Sequence, residues 1–140
     1  MATGTQGNTG RQTQYQMVHT LRITVNYNDA GIANGVGKQW LPTGAIIVGT
    51  DVMIDTVFNA ATTNVLTLGT NGPSTYDNIV AAADVNEGAT GLTQNVKPTG
   101  TALGKLTGAA QVFAKFTQSG TAATTGKAYL IVKYVVDNDL

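Results

Sequence analysis

The sequence predicts an all-β fold: an antiparallel two-sheet sandwich or jelly roll of about seven to eight strands, with one short helix near Thr75–Asp84. Three observations carry this reading. Charged residues make up 11% of the chain, against an ordinary share of ~25%. The low charge comes with many Thr, Val, Gly and Ala residues, a composition that favours strands and tight turns over salt-bridged helices. Several stretches also place apolar residues at every second position, the pattern of strands covered on one face.

At 140 residues the chain has the size of one domain, able to bury roughly two-thirds of its unfolded surface. Met1–Tyr15 is built from Gly, Thr, Gln and Asn with a single charge, Arg11. Such a segment has too little apolar surface to offset its ordering entropy, so it is expected to be a flexible polar arm. It is either a plain terminus or an arm that orders on a partner's surface. Residues 16–140 are expected to form one β-sandwich domain.

Gln16–Tyr27 reads as the first strand, with Met17, His19, Leu21, Ile23, Val25 and Tyr27 on one face. His19 is the only histidine. No second His or any Cys exists to complete a site, so we read it as a hydrogen-bonded residue at the edge of the core. Asn28–Gly37 is a loop whose spaced glycines suggest a phosphate cradle. That motif needs a helix to follow, and the P-loop form needs Lys followed by Ser or Thr; here Lys38 precedes Gln39 and Trp40. Trp40, the only tryptophan, is expected in the core, with an interface as the alternative.

Leu41-Pro42-Thr43-Gly44 is a turn signal. It opens the strand Ala45–Phe58, with Ile46, Val48, Thr50, Val52, Ile54, Thr56 and Phe58 assigned to the buried face. Ile47, Gly49, Asp51, Met53, Asp55 and Val57 form the other. Asn59–Asn64 is a polar turn and Val65–Leu68 returns apolar, so Leu41–Leu68 reads as a long hairpin. Asn71-Gly72-Pro73 is a break. The helix over Thr75–Asp84 rests on Thr75 as a cap and on Tyr76, Ile79, Val80 and Ala83 at helical spacing. Asp84–Gly91 clusters oxygen-bearing side chains but lacks the spacing of a calcium loop, and reads as a turn. Leu92–Thr107 is irregular. Ala109–Gln118 is a strand with Val112, Ala114 and Phe116 on one face, and Ser119–Gly126 is a turn. Lys127–Val136 is a strand apolar on both faces, which places it mid-sheet or at an interface. Val112–Val136 therefore reads as a second hairpin.

The chemistry is sparse. The absence of Cys excludes disulfides, thiolate metal sites and cysteine nucleophiles. Eight basic and eight acidic residues give no electrostatic case for nucleic acid or an anionic membrane. No run approaches ~20 apolar residues and no secretory core opens the chain, so a soluble protein made in the cytoplasm is expected. A serine triad would rest on His19 with Ser74 or Ser119, neither of which lies in a nucleophile elbow. Asp51 and Asp55 share a strand face about 13 Å apart, too wide for a glycosidase pair. No catalytic residue, cofactor, metal or small-molecule substrate is expected. The candidate partner-binding residues are Arg11, Gln12, Gln14, Tyr15, Trp40 and Tyr129.

After the polar arm, four phrases follow in order. They are Leu41-Pro42-Thr43-Gly44-Ala45, Val57-Phe58-Asn59-Ala60-Ala61-Thr62-Thr63-Asn64, Ala81-Ala82-Ala83-Asp84-Val85-Asn86, and the long Phe116–Gly126 turn with its Ser119-Gly120-Thr121-Ala122-Ala123-Thr124-Thr125 centre. This order resembles small structural head proteins of tailed bacteriophages, and above all capsid cement (decoration) proteins with a jelly-roll fold. The resemblance spans Leu41 to the C-terminus and lies in turn phrases, not in a mechanistic motif. It implies a virion protein, made in the host cytoplasm and placed on the outside of an icosahedral shell. There it would clamp major capsid protein subunits as a homo-oligomer, a dimer in preference to a trimer. No functional residue of the family carries over. The alternative is a receptor- or carbohydrate-binding β-sandwich of a tail fibre or adhesin, which would need clustered aromatics from Trp40, Tyr76 and Tyr129.

Overall fold

A computed structural model of the chain describes residues 17–73 and 75–137. The arm expected over Met1–Tyr15 lies outside the described residues, as does Ser74. Seven strands follow in order: β1 (His19–Asn26), β2 (Val36–Leu41), β3 (Ile46–Thr56), β4 (Thr63–Gly69), β5 (Gly91–Val96), β6 (Ala110–Ser119) and β7 (Lys127–Val135). They form two antiparallel sheets, one in the order β1-β7-β3-β5 and one in the order β2-β6-β4. This is the expected all-β sandwich of jelly-roll type.

The alternation read from the sequence explains which side chains meet between the sheets. Leu21, Ile23 and Val25 of β1 are buried while Thr20, Arg22 and Thr24 face outward. Val112, Ala114 and Phe116 of β6 are buried in one core with Leu66 and Leu68 of the same sheet and Ile54 and Leu130 of the other. The Phe58 and Phe116 rings lie 4.7 Å apart at the centre of one end. Each such side chain removed from water contributes about 1.5–3 kcal/mol. β7 runs between β1 and β3, the mid-sheet place that its two apolar faces required.

Both expected hairpins are wrong as hairpins. β3 belongs to the four-stranded sheet and β4 to the three-stranded one, and β6 and β7 divide in the same way. The turn phrases after β3 and after β6 are arches that cross between the sheets, a span of ~10 Å. The strands then pair across arches, β3 with β7 and β4 with β6. The arches also bond to each other: Ala61 N–H donates to Thr121 O (3.0 Å) and Thr62 N–H to Ser119 O (3.1 Å). Asn59 Oδ1 accepts from Thr124 N–H (2.8 Å) and Thr125 N–H (2.9 Å). Gly126, at φ 151°, lies so close to Phe58 that a Cβ there would overlap the ring.

The β3 face assignment fails at its start. The register shifts between Ile47 and Gly49, so a bulge turns Ile46 and Val48 outward and buries Ile47. Beyond it, Thr50, Val52 and Ile54 point inward as expected, but a second register shift between Ile54 and Thr56 leaves Thr56 exposed against its assignment. Trp40 is not in the core: it is 60% exposed on β2. β2 and β5 were not anticipated, because their polar residues sit on edge strands with one face and one edge in water.

There is no helix at Thr75–Asp84. Tyr76 has φ 47°, a left-handed conformation that no right-handed helix admits. The amides a helix would use are taken elsewhere. Asn71 Oδ1 accepts from the N–H groups of Asp77 and Asn78, and Leu68 O accepts from those of Ile79 and Val80. Val80 makes an antiparallel bridge to Leu68 and so occupies the lane beside β4 where a jelly roll carries its eighth strand. The only helical turn among the described residues is a 3-10 piece at Gly100–Ala102.

Candidate protein-docking surface

The residues that could carry chemistry do not converge. His19 stacks on Tyr134 with ring centroids 5.7 Å apart. Its Nε2 is buried without a hydrogen-bond partner, so the expected bond at that atom is not made. Asp51 lies 3.3 Å from Lys133 Nζ and accepts from Asn95 N–H at 3.0 Å, which holds the β5 bulge in place. Asp55 is exposed near the end of β3. Among the described residues no group of three His, Asp or Glu side chains could hold a metal ion.

Glu87 is the buried acid that the sequence reading passed over. It is 6% exposed, and its Oε1 accepts from Leu66 N–H at 2.7 Å on the outer edge of β4. Its backbone oxygen accepts from Phe58 N–H. Burial pushes the carboxyl pKa up, against the backbone N–H bonds that favour its ionised form. Glu87 fastens the 78–90 loop to the sandwich.

The aromatic candidates are dispersed. Tyr129 lies on the outer face of β7, with the Arg22 guanidinium 4.6 Å and the Lys127 ammonium 5.3 Å from its ring centroid. Trp40 projects from the other sheet. Tyr76 is buried, stacked on Phe113 at 4.5 Å, and pressed so close to Gly35 that a Cβ there would overlap it. Arg11, Gln12, Gln14 and Tyr15 lie outside the described residues.

What the fold does gather is exposed apolar surface. Seven large apolar side chains stand out among the described residues: Met17, Val18, Trp40, Ile46, Val48, Leu92 and Leu103. The register brings most of them to one end. Val135 of β7 pairs with Ile46 of β3, and His19 pairs with Tyr134, so continuing that register sets Val18 beside Val135. Lys105 bridges to Ile46 on its other side, two residues after Leu103. Trp40 stands at the last turn of β2 before the chain enters β3. Leu92, opposite Met53, is on the far half of the sheet. The same end carries an open pocket of about 460 Å³ lined by Thr43, Gly44, Leu106 and Thr107, rimmed by the Lys105–Asp137 ion pair at 3.0 Å. One signal for this surface was legible. Ile46-Ile47-Val48 is three apolar residues in a row, which no regular strand can bury on one face.

No family model matches the sequence, and no curated protein matches it. The fold is shared with chains from three solved structures of phage capsids. One is from the acidic stable capsid of Helicobacter pylori bacteriophage KHP30, with TM-score 0.60 and 16% identity over 86% of this chain and 88% of that one. A second is from the cyanophage Pam1 capsid asymmetric unit, with TM-score 0.61 and 18% identity over 98% and 97%. The third is from the capsid of Ralstonia phage GP4, with TM-score 0.61 and 20% identity over 94% and 93%. At these identities the likeness is one of fold, over nearly the full length of both partners.

Proposed function

We propose that this chain is a virion structural protein, a capsid cement or decoration protein. It sits on the outer surface of an icosahedral shell and strengthens contacts between major capsid protein subunits. The observation that carries the reading is the full-length fold match to chains of three phage capsid structures. The low charge, the stiff two-sheet scaffold and the apolar end described above support a role in protein–protein contact. In this reading the polar Met1–Tyr15 segment, with Arg11, Gln12, Gln14 and Tyr15, adds contacts on the shell, and Trp40 and Tyr129 are further contact residues. Two copies act together. The free side of β5, whose six residues carry no charge, is the sheet edge least defended against pairing. The protein works by binding, not catalysis.

The tail-fibre or adhesin reading has less support. A glycan platform needs neighbouring aromatic faces, and Tyr76 is buried while Trp40 and Tyr129 belong to different sheets. The test is a comparison of purified capsids with and without the protein. Raised disruption temperature and co-sedimentation support the reading; equal temperatures and no co-sedimentation refute it.

A further inference from the structure

We infer that the apolar row Val18, Ile46, Val48 and Leu103, on the outer face at the end where β1 and β3 begin, is the surface by which the chain docks on the protein shell. This inference rests on the capsid reading above and names the surface that does the work.

The row is built, not incidental. Ile46 and Val48 share a face by ordinary alternation, and the bulge at Val48 shifts the phase of β3, so that they face water while Thr50, Val52 and Ile54, of the same parity, turn inward. The exposures are 54%, 41%, 52% and 66% for Val18, Ile46, Val48 and Leu103. Together these side chains present roughly 350 Å² of apolar surface, the size of the largest patch on an ordinary monomer, which is often a functional one.

The size and the position of the row choose the occupant. A standard stable interface buries ~800 Å² on each partner, about twice what the row offers, so it falls short of holding two free copies together. A surface of this size suits a partner presented in many identical copies, where a weak contact is multiplied by symmetry and by a second tether. That tether is at hand. Sixteen residues precede Met17, next to Val18, and in extended form such a segment spans about 55 Å. A shell subunit under the row is within its reach.

The test uses the full chain and capsids of the encoding virus stripped of it. Wild type, V18T/I46T/V48T, the single variant V48K and the control A82S are compared by co-sedimentation. Thermal midpoints and sedimentation velocity are measured in parallel. The row variants are expected to bind at least tenfold more weakly at unchanged midpoint and unchanged oligomeric state, while A82S, at an exposed position of the 78–90 loop, stays within twofold of wild type. Because Val48 is an exposed bulge residue, V48K keeps the test open if the triple variant misfolds. Row variants that bind like wild type overturn the docking assignment and leave the capsid reading standing. A change of oligomeric state in step with the loss of binding also overturns it, since the row would then join copies of this chain. Wild type that does not bind at all defeats the capsid reading itself, and the assignment with it.

Discussion

The two ends of the sandwich treat their surface groups in opposite ways. At the arch end, polar groups are closed internally. Asn59 receives two amides of the other arch and gives its own Nδ2–H to Thr124 Oγ1. Asn64 exchanges bonds with Ala60 in both directions, Gln118 accepts from Ala123 N–H, and Asp29 accepts from Asn26 N–H. Beneath them Phe58 and Phe116 fill the space between the sheets. At the opposite end, where β3 carries its bulge, apolar side chains point into water. The arch end spends its sequence on holding the fold; the other end is left free to meet something else. Stability and interaction are thus separated along one axis, a division that substitutions can probe.

The largest effect is expected from Phe58→Ala at the arch end, which removes a ring that is 1% exposed. It should lower unfolding free energy by about 3–5 kcal/mol in urea titrations; a loss below ~1 kcal/mol would show that the arch end is not the stabilising one. Asn59→Ala is next, at about 1–2 kcal/mol, because its exposed amide partners regain water when the side chain is gone. Thermal unfolding measures it, and an unchanged midpoint would mean that the arches hold without their side-chain clasp.

Glu87→Gln tests the arch end through pH. The folded carboxyl has its pKa raised by burial, so the native state holds its proton more tightly than the unfolded chain. The contribution of this group therefore falls as pH rises from the unfolded pKa through the folded one, and is restored on acidification. The glutamine variant keeps an acceptor for Leu66 N–H and removes the charge. It should be more stable than wild type at pH 7, with the gap narrowing toward pH 4; a gap independent of pH would contradict the assignment. The smallest effect belongs to the other end. Val48→Thr should leave stability within about 0.5 kcal/mol, and a larger loss in chemical denaturation would erase the contrast between the two ends.

Much of the scaffold was legible because it is written in single side chains. Leu21, Ile23 and Val25, or Val112, Ala114 and Phe116, announce an inward face wherever the strand lies. Sheet membership was not legible in the same way. A polar turn such as Asn59–Thr62 serves a hairpin or an arch equally, and the choice is made by distant partners such as Thr124 and Thr125, 65 and 66 residues from Asn59. The false helix has a similar cause. Tyr76, Ile79 and Val80 have helical spacing, but Asn71 Oδ1 takes the amides of Asp77 and Asn78 and Leu68 O those of Ile79 and Val80, and tertiary contacts overrule local spacing. Trp40 misled because size argues for burial while an edge-strand position decides exposure. Of the docking surface, only the apolar triplet at Ile46–Val48 spoke from sequence; Val18 joins it through a register that pairs distant strands.

The pairing of β1 with β7 and of β7 with β3 has a temporal side. Within the row, Val18 just precedes the first strand and Ile46 and Val48 begin the third, and the two are aligned by Val135 at the end of the seventh. A nascent chain that lacks β7 has neither the middle of its larger sheet nor the contiguous hydrophobic row. Folding must close contacts of high sequence separation before that surface exists. The exposed apolar row is thereby tied to completed synthesis, because a chain without its last strand cannot align it.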